Sequence, residues 1–98
     1  MKPRTMKSLQ RELGKFVSVR NMAGQSGNVP NQFIIEYENG SIFQSYESII
    51  AVKCNGLYLT DKHDFSVTTS KYCLQFTNYT KKERNQGLEN GTIRKLIA

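Results

Sequence analysis

The chain has 98 residues and a formal net charge of +6, with 38% hydrophobic, 22% charged and 10% aromatic residues. That length holds one modest core, which excludes a cofactor domain joined to a deep enclosed active site. The composition is that of a folded protein rather than a disordered one. No apolar run approaches the length of a membrane span. The basic start Met1–Lys7 lacks the apolar stretch of a secretory leader, so an intracellular protein is expected.

In chain order, residues 1–14 read as a basic arm with a short amphipathic helix over Lys7–Leu13. Ser8 stands at or just inside its start, and Gly14 sits where a helix stop belongs. Phe16–Arg20 reads as a strand by its β-branched and aromatic content. Ala23–Asn31, rich in turn formers, reads as a mobile loop. Gln32–Glu38 and Ser41–Tyr46 flank Asn39-Gly40, a strong hairpin signal because both residues tolerate positive φ in a type I′ turn. A two-residue Asn39-Gly40 turn sets Tyr37 opposite Ile42 and Ile35 opposite Gln44. It places Phe33, Ile35, Tyr37, Ile42 and Tyr46 on a core face and Ile34, Glu36, Ser41, Phe43 and Ser45 on a mixed, partly wet one. The pattern repeats in Ile49–Cys54 and Leu57–Thr60 around Asn55-Gly56. There Ile50, Val52, Cys54, Leu57 and Leu59 share one face, and Ile49, Ala51, Lys53, Tyr58 and Thr60 the other.

Beyond Asp61 the apolar period becomes helical through Tyr72, Cys73, Phe76 and Tyr79, with Thr68 and Thr69 as natural N-caps. Thr80-Lys81-Lys82-Glu83 is a capping box that opens a second helix, which stops before Gly91. Thr92–Ile97 reads as an edge strand carrying basic residues. The expected fold is α+β in a single domain, 1–98: a basic arm at 1–14, a four- to five-stranded antiparallel meander over 15–60, helices within 66–90 packed on one sheet face, and an edge strand at 92–97.

Charge is segregated. Residues 1–20 carry +5, residues 21–70 carry −3 and residues 71–98 carry +4. Basic ends around an acidic middle are an electrostatic footprint for a polyanion or an acidic protein surface. The candidate contacts are Lys2, Arg4, Lys7, Arg11 and Lys15 at one end and Lys81, Lys82 and Arg84 at the other. Phe43 and Tyr58, on the less apolar sheet face near Lys53, are candidate stacking residues, although most aromatics in a chain of this size fill the core.

Catalytic chemistry is thinly represented. Asp61, His63 and Asp64 lie within four residues, a set that a small metal-dependent nuclease would use. The same types are ordinary in a polar loop between a strand and a helix, and we expect the loop. Cys54 and Cys73 lack metal-ligand spacing, and a lone histidine does not complete a zinc site. They read as reduced, buried small hydrophobes. Asn78 and Asn90 begin Asn-x-Thr acceptor sequences that matter only in a secreted chain. No phosphate-binding glycine loop and no nucleophile elbow occurs. A non-enzymatic protein with no cofactor and no metal is expected.

Asn31–Ile35, Phe43–Ala51, Asp64–Lys71 and Thr80–Glu83 together resemble a family of short, uncharacterised proteins encoded by bacteriophages and related mobile elements. The resemblance covers about residues 28–91, and its most specific phrase is Phe43-Gln44-Ser45-Tyr46-x-Ser48-x-Ile50-Ala51. A tryptophan and a tyrosine that commonly flank the aspartate of the third phrase are replaced here by His63 and Phe65. The family carries no assigned activity. The resemblance implies a protein in the cytoplasm of a bacterial host that binds a host protein or ribonucleoprotein. An inhibitor of an RNA-guided defence effector, in the manner of anti-CRISPR proteins, is its most concrete form. A stand-alone RNA- or DNA-binding accessory protein and a self-assembling virion component are the alternatives, the chain being a monomer or weak homo-oligomer without membrane contact.

Overall fold

A computed structural model describes residues 4–24 and 27–97. Its elements are β1 (Arg4–Thr5), α1 (Met6–Leu13), β2 (Phe16–Gly24), β3 (Gly27–Tyr37), β4 (Gly40–Ser45), β5 (Ser48–Lys53), β6 (Leu57–Leu59), α2 (Val67–Thr77), α3 (Lys81–Asn90) and β7 (Arg94–Ile97). The α+β class and the antiparallel meander hold, but the sheet has seven strands in the order β1-β7-β6-β5-β4-β3-β2 and is mixed. β7 runs parallel to both β6 and β1. It is therefore an interior strand, and β1 and β2 are the edges.

Helices cover both sheet faces, not one. Strands β4 and β5 are apolar on both sides, and successive side chains enter different cores. Phe43, Ile50, Ala51 and Leu59 pack with Tyr72, Cys73 and Phe76 of α2. Ile42, Val52, Cys54, Tyr58 and Leu96 pack with Leu9 and Leu13 of α1. Phe43, expected on a partly wet face, thus lies at the centre of the larger core. An isolated helix of eight residues is not stable in water. α1 persists because it buries Leu9 and Leu13 completely, each contributing about 2 kcal/mol by apolar transfer.

Both hairpin registers differ from those the Asn-Gly pairs suggest. In the first, Tyr37 pairs with Gly40 and Ile35 with Ile42, so the loop residues are Glu38 and Asn39. Neither Asn39 nor Gly40 is among the positive-φ residues. Gly40 serves close approach instead: a Cβ there would stand 2.1 Å from the Lys53 carbonyl oxygen and 2.8 Å from Leu13 Cδ2. The hairpin tip is also tied to the end of α1, where Glu38 and Asn39 amides donate to the Lys15 and Leu13 carbonyls at 3.0 Å. The slip is even, so the faces are preserved. In the second hairpin Lys53 pairs with Leu57, leaving a three-residue loop with Asn55 and Gly56 at positive φ. This odd slip turns β6 over. Leu57 and Leu59 face α2, and Tyr58 faces α1.

The expected loop over Ala23–Asn31 is instead the far end of the β2–β3 hairpin, in which Ala23 pairs with Asn28 and Gly24 with Gly27. Gln25 and Ser26 lie outside the described residues. Val29–Gln32 is inserted opposite Met22 as a bulge, which accommodates Pro30 inside a strand. The helix caps also move by a few residues. Thr5, not Ser8, caps α1, and Ser66, not Thr68 or Thr69, caps α2. Thr80 and Glu83 form the expected capping box of α3, and Gly91 ends it. Tyr79 lies just beyond α2, after its left-handed C-cap Asn78.

Candidate nucleic-acid interface

Strand parity gathers part of the basic set. Arg4 stands beside Leu96 and Arg94 beside Tyr58 on the sheet, which puts both arginines on the face that carries α1. Their guanidinium N–H groups donate to the Tyr58 hydroxyl at 3.3 and 3.0 Å. Each guanidinium carbon lies 5.8 Å from the Tyr58 ring centre. Arg4 also pairs with Glu12, whose carboxylate raises the arginine's pKa. Lys7, Arg11 and Lys15 project into solvent from α1 and the link behind it. They take part in no ion pair among the described residues. Arg94 completes this cationic face, although the sequence reading left it out. Lys2 lies outside the described residues.

The second basic cluster divides. Lys81 and Lys82 are exposed on the first turn of α3, on the opposite side of the sheet from α1. Arg84 is 0% exposed and is a structural residue, not a surface contact. Its Nε donates to His63 Nδ1 at 3.0 Å, and its terminal nitrogens donate to Tyr79 O at 2.7 Å, Ser70 Oγ at 2.8 Å and His63 O at 3.4 Å. The loop before α2 is thereby bound to α3. His63 is itself buried, and burial, with Arg84 alongside, pushes its pKa down against the opposing pull of Asp64. With Nδ1 accepting from Arg84, the imidazole is held in its neutral form. Cys54 and Cys73 are unbridged and lie in opposite cores, where burial pushes the Cys73 thiol up to about 11.

Phe43 and Tyr58 are buried, so neither ring is presented for stacking. Two other aromatics take that position: Tyr46 is 62% exposed and Phe65 76%. They border a pocket of about 220 Å³ whose wall includes Ser45, Ser48, Ser66 and Thr69, with Lys62 at its rim. A second cleft, of about 470 Å³, is lined by Asp64, Ser66, Lys71, Thr80, Lys81 and Arg84. Ser66 belongs to both. Sequence reasoning missed Tyr46 because the displaced register set it opposite Phe33 on a core face. In fact Ser45 pairs with Ser48, which leaves Tyr46 and Glu47 as a tight turn. Phe65 had a readable signal, since it is the lone apolar residue within the polar run Asp61–Ser66.

A mixed seven-stranded sheet with helices on both faces defines a small α+β protein. The chain belongs to a family of unknown function, DUF8033, whose profile matches residues 17–90. No curated protein and no solved structure matches the chain. The segments outside the matched span, β1, α1 and β7, meet in space: β1 pairs with β7, and α1 packs on Leu96. The α1 cationic face therefore stands on elements outside the matched span, whereas Tyr46, Phe65, Lys62, Lys71 and Lys81 lie within it.

Proposed function

We propose that this is a non-enzymatic binding protein of phage or mobile-element origin that docks on a host nucleoprotein through its basic surfaces. The partner class is an RNA-guided defence effector, whose nucleic acid the protein occludes or diverts. The observation that carries the reading is that exposed Lys7, Arg11 and Lys15 of α1 and its link share a sheet face with Arg94 of β7, where Glu12 is paired with Arg4 and Glu38 accepts from the Lys15 amide. Cations so placed gain affinity by releasing the counterions of phosphates. The resemblance to mobile-element proteins supports the setting.

The test is binding of labelled single-stranded RNA, single-stranded DNA and duplex DNA at two salt concentrations. With Lys7, Arg11 and Lys15 each on a phosphate, their reversal to glutamate lowers the log–log salt slope for a single strand by about 2. An unchanged slope and affinity would remove this face from the reading. Binding of bare nucleic acid at physiological salt favours a stand-alone accessory protein. Absence of binding, with capture of an effector ribonucleoprotein that charge reversal abolishes, favours the inhibitor.

A second reading, self-assembly, is favoured by β2. Among the described residues this nine-residue strand pairs only with β3, and it exposes Phe16, Val17 and Val19. α1 ends against the β3–β4 tip, where the Leu13 and Lys15 carbonyls accept from Asn39 and Glu38, and Phe16, Val17 and Val19 beyond it stay exposed. A mass that rises with concentration, and that Val19→Lys returns to the monomer, supports assembly. A constant monomer mass refutes it.

A further inference from the structure

We propose that the pocket between Tyr46 and Phe65 receives an unpaired nucleobase of a single-stranded nucleic acid, and that the adjoining cleft at the starts of α2 and α3 takes its phosphate. The inference rests on the nucleic-acid reading above but uses a different surface, within the family-matched span.

Four observations converge. Large aromatic rings are costly to leave in water, yet Tyr46 and Phe65 are both mostly exposed and border the same pocket. Tyr46 also sits at φ 54°, a left-handed conformation unfavourable for a bulky residue and of the kind that surrounding structure must enforce. The two-residue β4–β5 turn imposes that conformation.

The wall between the rings combines Ile50 with the hydroxyls of Ser45, Ser48, Ser66 and Thr69. Ser66 Oγ lies 3.1 Å from Thr69 Oγ1, which in turn lies 3.5 Å from Ser45 Oγ. Rotating hydroxyls both donate and accept, so they serve the edge of any base. Across the β3–β4 ladder from Ser45, Gln32 keeps a buried side-chain oxygen without a partner among the described residues.

The neighbouring cleft sets lysines beside an apolar wall that includes Val67 and Leu74. The N-caps of both α2 and α3, Ser66 and Thr80, line it together with the exposed Lys71 and Lys81, while the buried Arg84 guanidinium is engaged by His63, Ser70 and Tyr79. Lys71 and Lys81 supply the charge open to a phosphate there, Asp64 standing 3.7 Å from Lys81 Nζ, because the α3 N-terminus is already capped by the Glu83 carboxylate, which accepts from the Thr80 amide. Ser66 joins the two sites, so a ligand with a flat ring and an adjacent negative charge fits where a neutral sugar would leave the cations unused. A duplex keeps its bases stacked inside, whereas a single strand presents them.

The chain contains no tryptophan, so Phe65→Trp at an exposed position is a clean fluorescent reporter. Short single-stranded RNA and DNA should quench it saturably, and duplex DNA should not. Phe65→Ala and Tyr46→Ala, with folding checked by circular dichroism, should each weaken single-strand binding about tenfold, the usual effect of losing one stacking ring. Phe65→Tyr should retain affinity.

Wild-type affinity in both alanine variants, alongside loss in the Lys7, Arg11, Lys15 reversal, would overturn the pocket and leave the nucleic-acid reading intact. Quenching by uridine and adenosine monophosphates that survives that reversal would support the pocket as a site separate from the α1 face. Quenching by a maltooligosaccharide but by no nucleotide, or no quenching by any ligand, would overturn the proposal.

Discussion

Replacing Arg84 tests whether this residue belongs to the fold or to a ligand. Its guanidinium makes four hydrogen bonds with acceptors from three segments of chain. In Arg84→Ala, His63 Nδ1 and the His63 carbonyl become buried acceptors without donors, each costing about 1–3 kcal/mol. Ser70 Oγ and Tyr79 O are only partly buried, and water can replace the lost donor there. The emptied volume beneath α3 adds a cavity term, and the expected loss is about 4 kcal/mol. A domain of this size holds about 5–15 kcal/mol in all, so the variant should be close to unfolding at room temperature. Urea titration followed by circular dichroism should show a midpoint lower by about 2–3 M. Arg84→Lys, with one nitrogen to serve acceptors in several directions, should lose about 2 kcal/mol and remain folded enough to assay. A loss under about 1 kcal/mol in Arg84→Ala would refute the structural role. So would a variant with normal stability that fails to bind nucleic acid.

Three further outcomes follow from the same packing. The folded chain holds His63 below its ordinary value of 6.5, with burial as the main cause. The unfolded chain therefore takes up a proton first on acidification, and His63's stabilising effect is complete above pH 6.5 and falls as pH drops from there toward the lowered value. His63→Asn keeps an acceptor near the Nδ1 position and should flatten stability between pH 7 and pH 5; an identical slope in both proteins would refute the assignment. Gly40→Ala should lose about 3 kcal/mol, read as a lower melting temperature, because its Cβ would meet the Lys53 carbonyl oxygen at 2.1 Å and overpacking is costly. Cys73, fully buried with its thiol pushed up to about 11, should react with a thiol reagent at neutral pH only as fast as the protein opens. Labelling as fast as a free thiol in native buffer would contradict the packing of α2 on the sheet.

Local signals carried the meander, the capping box at Thr80 and the glycine stops at Gly14 and Gly91, because each depends on neighbours in sequence. Both Asn-Gly pairs announced a hairpin correctly, and neither set its register. At Asn39-Gly40 the glycine is consumed by a contact with Lys53, thirteen residues away in the chain, which no local rule contains. The even slip spared the faces. At Asn55-Gly56 one extra loop residue reversed β6 and sent Tyr58 to the α1 side. A two-sided sheet was nevertheless readable, since Ile42-Phe43, Ile49-Ile50 and Ala51-Val52 place apolar side chains on both faces of adjacent strands. β7 was misread as an edge because parallel pairing across a helical crossover leaves no mark in four residues of strand.

The candidate site was legible only as charge. Basic residues at the two ends of the chain do not form one surface, because α1 and α3 occupy opposite faces of the sheet. Packed layers lie about 10 Å apart, so the two cationic faces are separated by about 20 Å, more than twice the Debye length of about 8 Å at physiological salt. The two charged faces are therefore electrostatically independent, and reversing Lys7, Arg11 and Lys15 leaves the field at Lys71 and Lys81 almost unchanged. The α1 face stands on β1, α1 and β7, whereas the aromatic pocket lies within the span shared with the family. If base capture belongs to the family core and the α1 cations add affinity in this chain, the two sets of variants should combine additively in binding free energy. Strong non-additivity would place both surfaces on one continuous ligand path and would require the strand to wrap an edge of the sheet.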